Sequence, residues 1–529
     1  MGASLRALRA LVLLAGFHLL GVLMLALLGA IDWAATLWTP GSVYLKLYVV
    51  TAVLAIPIVR GMFMLRTPKD EGTAGVPVSE SDEPRLWRTV RELAERVGTR
   101  APDEIRLTAD MNAAVSEESR LLGLLGGRRR LYLGLPLMAG LSEAQLRAVL
   151  AHELGHYGNA DTRLTGITER GRVQVLRTIA HFEEKAGGKV AKERARQERK
   201  AAKRLARGEA AKEVDTTGAG ITYRTMAKIY TAYAHFYMRA TLAGSRRQEL
   251  AADLAAARIA GRDATASALR EIPVLDAAHG FYLNAYATLG AEFGMLPPRG
   301  EVIGGVRHLL AARREELDEL RRELPTEPAS PYDSHPAMAE RVARIEALPD
   351  DGRASEPALP ALGLLASAEV SLTAVEGTTL TPEALRMRRV EWPDLVHTSM
   401  TAHAARQAEP LLKATGEVTG SASLPALLDA IDAGKAWQIT DRLPKSEEAA
   451  SATGRAAREF ARPVLRQGLS RLVTTALTED GRARWQLSWV ESATLRLPPG
   501  YEDELPEALD AAVADRPDTG PLRLLLHTP

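Results

Sequence analysis

The apolar residues of this 529-residue chain are unevenly spread, and the densest run comes first. From Ala10 to Ile31 the only ionisable side chain is His18, and Asp32 follows at once. As a helix rising about 1.5 Å per residue this run reaches roughly 33 Å, enough to cross a bilayer core of ~30 Å. A second apolar run extends from Val43 to Leu65, interrupted by Lys46, Pro57 and Arg60. Trp33 and Trp38 lie between the runs, where a membrane interface favours tryptophan. Arg6 and Arg9 precede the first run, and Arg60, Arg66 and Lys69 end or follow the second, so the positive-inside rule puts both ends in the cytoplasm. A cleaved signal peptide has a shorter apolar core, about 7–15 residues. Residues 1–66 are therefore expected to form a two-span anchor. Residues 67–84, rich in glycine, proline and acid, read as a linker.

Beyond the linker the pattern turns amphipathic. Ser142 is an N-cap candidate, and Leu146, Val149, Leu150 and Leu154 form an apolar helical face. On that helix stands His152-Glu153-Leu154-Gly155-His156, an HExxH match. At about 100° per residue the two histidines are roughly 40° apart and one turn along, so both imidazoles can reach one Zn²⁺. Glu153 flanks them as the candidate general base. Asp161, if the helix continues, lies about 140° from His156 and faces away from the metal. Further on, Glu249 and Asp253 share a helix face at i, i+4 beside Arg246 and Arg247. That pair reads either as a solvated face or as a third ligand backed by a carboxylate that orients a histidine.

Composition narrows the chemistry. There are 67 basic and 66 acidic residues, a formal charge of +1, with 46% hydrophobic and 25% charged residues. These values describe a folded protein and give no reason to expect nucleic acid as a partner. The chain has no cysteine, which excludes disulfides, thiolate metal ligands and a cysteine nucleophile.

Several ordered segments resemble the HtpX-like membrane zinc metallopeptidases, relatives of the CAAX prenyl endopeptidases. Met111-Asn112-Ala113-Ala114-Val115 is similar to the family's Asn-Ala-aromatic-Ala segment, with Ala114 in place of the aromatic. Arg130 to Gly134 reads as the strand before the active-site helix, and Leu150 to His156 as that helix. Arg247-Gln248-Glu249 with Ala252-Asp253, then Ser334-His335-Pro336 with Glu340-Arg341-Val342, complete the match over roughly residues 85–350. The resemblance implies that His152, His156 and Glu249 hold one zinc per chain and that Glu153 is the general base. It implies an orienting role for Asp253, with Arg341 steadying a loop or a carboxylate. His335 becomes the candidate for stabilising the oxyanion, against a plainer reading in which Ser334-His335-Pro336 turns into the helix Met338–Leu348. Asn112, Ala113, Ala114 and Val115 would form a cleft-edge strand that pairs with extended substrate, with side-chain selectivity in doubt at Ala114.

The chain also departs from that pattern. Members with more spans cross the membrane again between the two metal-binding helices, yet these 93 residues hold no apolar run of spanning length. Met226, Ile229, Tyr233, Phe236, Tyr237 and Ala240 form a stripe that reads as core, or as contact with the lipid interface. Residues 183–213 carry eleven lysines and arginines against six acids, a solvated helix or insertion, or a segment drawn to anionic lipid. After 350 no catalytic motif follows; helices are expected over 382–388, 424–433 and 456–473, and strands within 482–497.

The fold class expected is α+β, mainly helical. Two transmembrane helices come first, then a zincin-type metallopeptidase domain over 85–350 with a small sheet and the HExxH helix, then an α+β accessory domain over 355–529. The function expected is a zinc endopeptidase of the cell membrane with its catalytic domain in the cytoplasm, acting on polypeptides, with membrane-protein quality control as the role by analogy. A CAAX-type prenyl endopeptidase is the enzymatic alternative, disfavoured because that branch encloses its site within many more spans. A non-catalytic scaffold with a structural metal is the other, and it leaves Glu153 without a purpose.

Overall fold

A computed structural model describes residues 3–38, ten positions between 45 and 59, and residues 75–120, 125–158, 162–205, 215–326, 335–352, 359–445 and 447–527. The linker up to residue 74, Asp161, Ser334 and the end of the basic segment, 206–214, lie outside these residues, as does most of the second expected span. The chain divides into two compact units, 1–273 with 320–366, and 274–319 with 367–529.

The first unit opens with helix α1, Ala3–Trp38. Its Ala15–Trp38 stretch is long and apolar enough to cross a membrane, and it alone is so among the described residues. A four-stranded sheet follows, built from β1 (Val76–Val78), β2 (Glu104–Thr108), β3 (Ala113–Arg120) and β4 (Leu125–Gly134) in the order β1-β2-β4-β3. β2 runs parallel to β4 and the other pairs are antiparallel, which leaves β3 at an edge. Alternation gives the sheet one apolar face, where Ile105, Leu107, Leu131 and Leu133 are fully buried. Helix α2, Pro84–Val97, covers the core with Leu86, Val90 and Leu93 at i, i+4, i+7.

Short helix α3, Leu135–Gly140, leads from β4 into the HExxH helix α4, Glu143–Gly158. The expected cap is present and is reciprocal. Gln145 N–H donates to Ser142 Oγ at 3.2 Å, and Ser142 N–H donates to Gln145 Oε1 at 2.8 Å. Residues 359–366 close over the same helix start. Glu143 N–H donates to Leu359 O at 2.6 Å, Ala361 N–H to Leu141 O at 2.9 Å, and Ala366 N–H to buried Glu83 at 2.6 Å.

Helices α5 (Thr162–Leu205) and α6 (Ile221–Ala260) form a long hairpin. The basic segment continues α5 as helix to Leu205. Of the aromatic stripe, Tyr237 is fully buried, as is neighbouring Tyr230, while Phe236 points outward. Helix α7, Arg262–Tyr282, follows, and the boundary between units falls at its Pro273. Helix α8, Met338–Glu346, lies in the returning segment 320–366 of the first unit, with Val342 and Ile345 in its core.

The second unit is mainly helical. Its core gathers Leu411, Leu427, Ile431, Leu469, Leu477 and Leu509, among others, from helices over 392–512. The helices expected over 382–388, 424–433 and 456–473 correspond to Pro382–Leu385, Leu424–Asp432 and Gly454–Glu479. The strands within 482–497 are the short antiparallel pair Arg484–Gln486 and Thr494–Arg496. Residues 274–319 lie inside the stretch delimited by the peptidase motifs, yet they pack with residues 367–529. Tyr282 and Tyr286 join Trp392 and Trp489 in one aromatic cluster, and buried Glu376 accepts from Val302 N–H.

Candidate metal centre

Three secondary elements bring the site together, and each does so by local rules. The cap at Ser142 fixes the start of α4, and buried Leu146, Leu150 and Leu154 fix its rotation. His152 and His156 then project from one side, one turn apart. Gly155 on α4 faces Ala252 of α6, where a Cβ would lie at an ordinary contact distance of 3.7 Å. Glu249 and Asp253, one turn apart on α6, face the histidines. Helix α8 adds Arg341, and His335 precedes it.

The donor atoms converge. His152 Nε2 and His156 Nε2 are 3.2 Å apart, and Glu249 places Oε2 at 3.5 Å from the first and Oε1 at 3.5 Å from the second. Donors bound to one zinc at 2.0–2.2 Å with tetrahedral angles stand roughly 3.3–3.6 Å apart. The three side chains thus have the donor set and the spacing of a zinc site. All donors are nitrogen or oxygen, as a chain without cysteine requires.

Behind the donors lies a buried ionic chain. Asp253 Oδ1 is 2.9 Å from His152 Nδ1. Arg341 donates twice to Asp253, through Nε at 2.8 Å and Nη2 at 2.7 Å. Asp253 and Arg341 are 1% and 6% exposed, so each would be a costly lone charge without the other. The carboxylate occupies the second nitrogen of His152 and leaves Nε2 turned to the metal position. Of the two tasks the sequence suggested for Arg341, the structure shows a carboxylate contact. His335 Nδ1 lies 2.7 Å from Glu249 Oε2, with the imidazole about half exposed.

Burial and neighbouring charges push the ionisable groups of the site in opposite directions. Burial disfavours a charge on His152, but Asp253 and Glu249 outweigh it and push the imidazole up to about 9. Burial together with the His152 charge pushes His156 down to about 4, which keeps it a neutral donor. Burial tends to raise Glu249, yet His152 and His335 hold it well below the usual carboxylate range. Glu153 goes the other way. Burial, with Glu249 adding to it, raises its carboxyl to about 7 against the pull of His152.

The strand named as a substrate edge needs one correction. β3 is an edge strand beside α4, and Ala113, Ala114 and Val115 pair with Leu133, Tyr132 and Leu131. Asn112 stands before the strand, and its carbonyl already accepts from Gly134 N–H at 2.8 Å. Gly134 is confined by this turn, because a Cβ there would lie 1.8 Å from Asp110 O. Gly134, Gln145 and the 359–366 segment are site-shaping features the sequence reading missed. Only the Ser-x-x-Gln spacing at 142–145 was open to a local reading.

A family model described as Peptidase family M48 matches residues 80–348, just over half of the chain. No curated protein and no solved structure matches the chain.

Proposed function

This chain belongs to peptidase family M48, and we propose on that basis that it is a zinc-dependent endopeptidase held at a membrane by its N-terminal apolar helix. The observation that carries the reading is the convergence of His152, His156 and Glu249, with Asp253 and Arg341 locked behind His152. Those three residues would hold the zinc. When bound, it supplies a Lewis acid that polarises the scissile carbonyl and lowers the pKa of water.

The remaining chemistry belongs to the chain. Glu153 takes a proton from the attacking water and delivers it to the leaving amine nitrogen. Its burial suits that shuttle, since a carboxyl raised towards neutrality both accepts and returns a proton easily. Asp253 keeps His152 in one tautomer and orientation, and Arg341 keeps Asp253 ionised and fixed. His335 is proposed to donate to the carbonyl oxygen as negative charge develops there. The outer edge of β3 at Ala113–Val115, unpaired among the described residues, is proposed to take an extended peptide as an added strand, which suits unfolded segments of protein substrates. With both apolar runs crossing, Arg6 and Arg9 ahead of the first and Arg60, Arg66 and Lys69 at the end of the second favour a cytoplasmic placement of the peptidase unit.

The test is metal analysis with cleavage of casein by the full chain. One zinc per chain, with cleavage abolished by chelator and restored by zinc, is the expected result. A chain that holds zinc yet never cleaves would favour a structural metal site instead.

A further inference from the structure

The sheet has a second face, and it carries side chains that the metal centre does not use. Leu131 and Leu133 of β4 are fully buried on the apolar face, so Tyr132 between them projects from the opposite one, where it is half-buried. Pairing sets its neighbours on that face. The register places Arg106 of β2 on one side of Tyr132 and Ala114 of β3 on the other. Arg106 is committed to Glu104 on its own strand and, at 2.8 Å, to Gly75 O just before β1, so its guanidinium is turned away from the ring. Toward the sheet edge the position next to Tyr132 carries a single methyl.

A strand added to β3 would lie two strand spacings from β4, roughly 10 Å. Its side chains alternate between the two faces, so the residue opposite Ala114 projects on the face of Tyr132. Large side chains reach beyond the directly opposite neighbour in a sheet. Over one methyl, an aromatic side chain on the added strand and the Tyr132 ring can lean together to the spacing of about 4.5–7 Å that ring pairs favour. A bulky residue at 114 would stand between them. Charge narrows the class further. Arg128 and Arg130 gather on Glu104 at 3.3 and 3.2 Å beside Arg106, three positive groups to one negative, which disfavours a lysine or arginine over the ring.

We propose that Tyr132 is a specificity-determining residue. Reached across Ala114, it selects a large apolar side chain, aromatic above all, at the substrate residue opposite Ala114. The proposal rests on the strand addition put forward above and names the side-chain class that the added strand must bring.

The test uses the full-length chain and a synthetic peptide copied from a casein bond that it cleaves. Each residue within about four of that bond is made Phe, Ala or Lys in turn, and a second set carries one N-methylated backbone amide at a time. The wild-type chain should show a position at which Phe exceeds Ala by about 2–10-fold in kcat/KM, the worth of one aromatic contact, with Lys no better than Ala. That ratio should fall to about one in Tyr132→Thr and persist in Tyr132→Phe. Ala114→Glu, which puts a charged side chain in the gap, should abolish it too and carries the test alone if Tyr132→Thr fails to fold. Unchanged zinc content certifies each variant. A Phe preference that survives Tyr132→Thr and Ala114→Glu, or none in the wild-type chain, would overturn the proposal. Slower cleavage with N-methyl groups at alternate residues would then leave strand addition standing, and cleavage indifferent to them would overturn that reading as well. No cleavage of casein at all would overturn the peptidase reading and this proposal with it.

Discussion

At the scale of single residues, the site couples metal binding to one proton. In the metal-free chain His152 stays protonated to about pH 9, because Asp253 and Glu249 outweigh its burial. A metal ion must displace that proton. Zinc affinity should therefore rise with pH up to about 9, checked by competition with a chelator of known affinity at pH 6.5 to 9. A flat profile across that range would contradict the raised pKa of His152. The same shift sets a sign for stability. A group whose folded pKa is raised stabilises fully below its unfolded value of about 6.5, and that contribution is lost as pH climbs towards 9. Of these residues His152, Glu153 and His156 were legible in the sequence, since a four-residue spacing on one helix is local information. The carboxylate pair at 249 and 253 was visible only as one of two readings. The contacts of Arg341 with Asp253 and of His335 with Glu249 span 88 and 86 residues, and periodicity carries no signal across such distances.

At the scale of elements, the active-site helix is aimed from its start. Ser142 and Gln145 cap it reciprocally, and residues 359–361 supply Leu359 O and Ala361 N–H to the same turn. The cap was readable because it lies within four residues. The 359–361 contact joins positions more than two hundred residues apart, so the sequence offered no hint of it. Gly134 is the other aiming point. Its N–H holds Asn112 O, and no side chain fits between it and Asp110 O. Gly134→Ala should cost about 1–3 kcal/mol of stability, the usual penalty for overpacking. It should also shift the entry to β3, lowering kcat/KM for an extended peptide while leaving zinc content unchanged. Thermal unfolding, metal analysis and peptide kinetics on one preparation check all three. The edge position of β3 could not be read from its alternation, because strand order is a property of pairing partners.

At the scale of the molecule, a near-neutral composition conceals unlike parts. Phe17, Leu20, Met24 and Leu28 of the first apolar run pack on Val175, Phe182 and Tyr230 of the hairpin, a contact that hydropathy along the chain does not reveal. Residues 274–319 pack with the C-terminal unit through Tyr282, Tyr286 and Trp392, aromatic contacts made far apart in sequence. The metal ligands, the buried Asp253–Arg341 pair and the capped helix all lie in the first unit. The central claim is that this unit holds zinc for peptide hydrolysis with Glu153 as the proton shuttle. Its most direct test is Glu153→Gln, with zinc content and casein cleavage measured on the same full-length preparation. Zinc should remain at one per chain while cleavage falls by about 10²–10⁴-fold, the range expected for loss of a general base. Cleavage at the wild-type rate with zinc in place would contradict it.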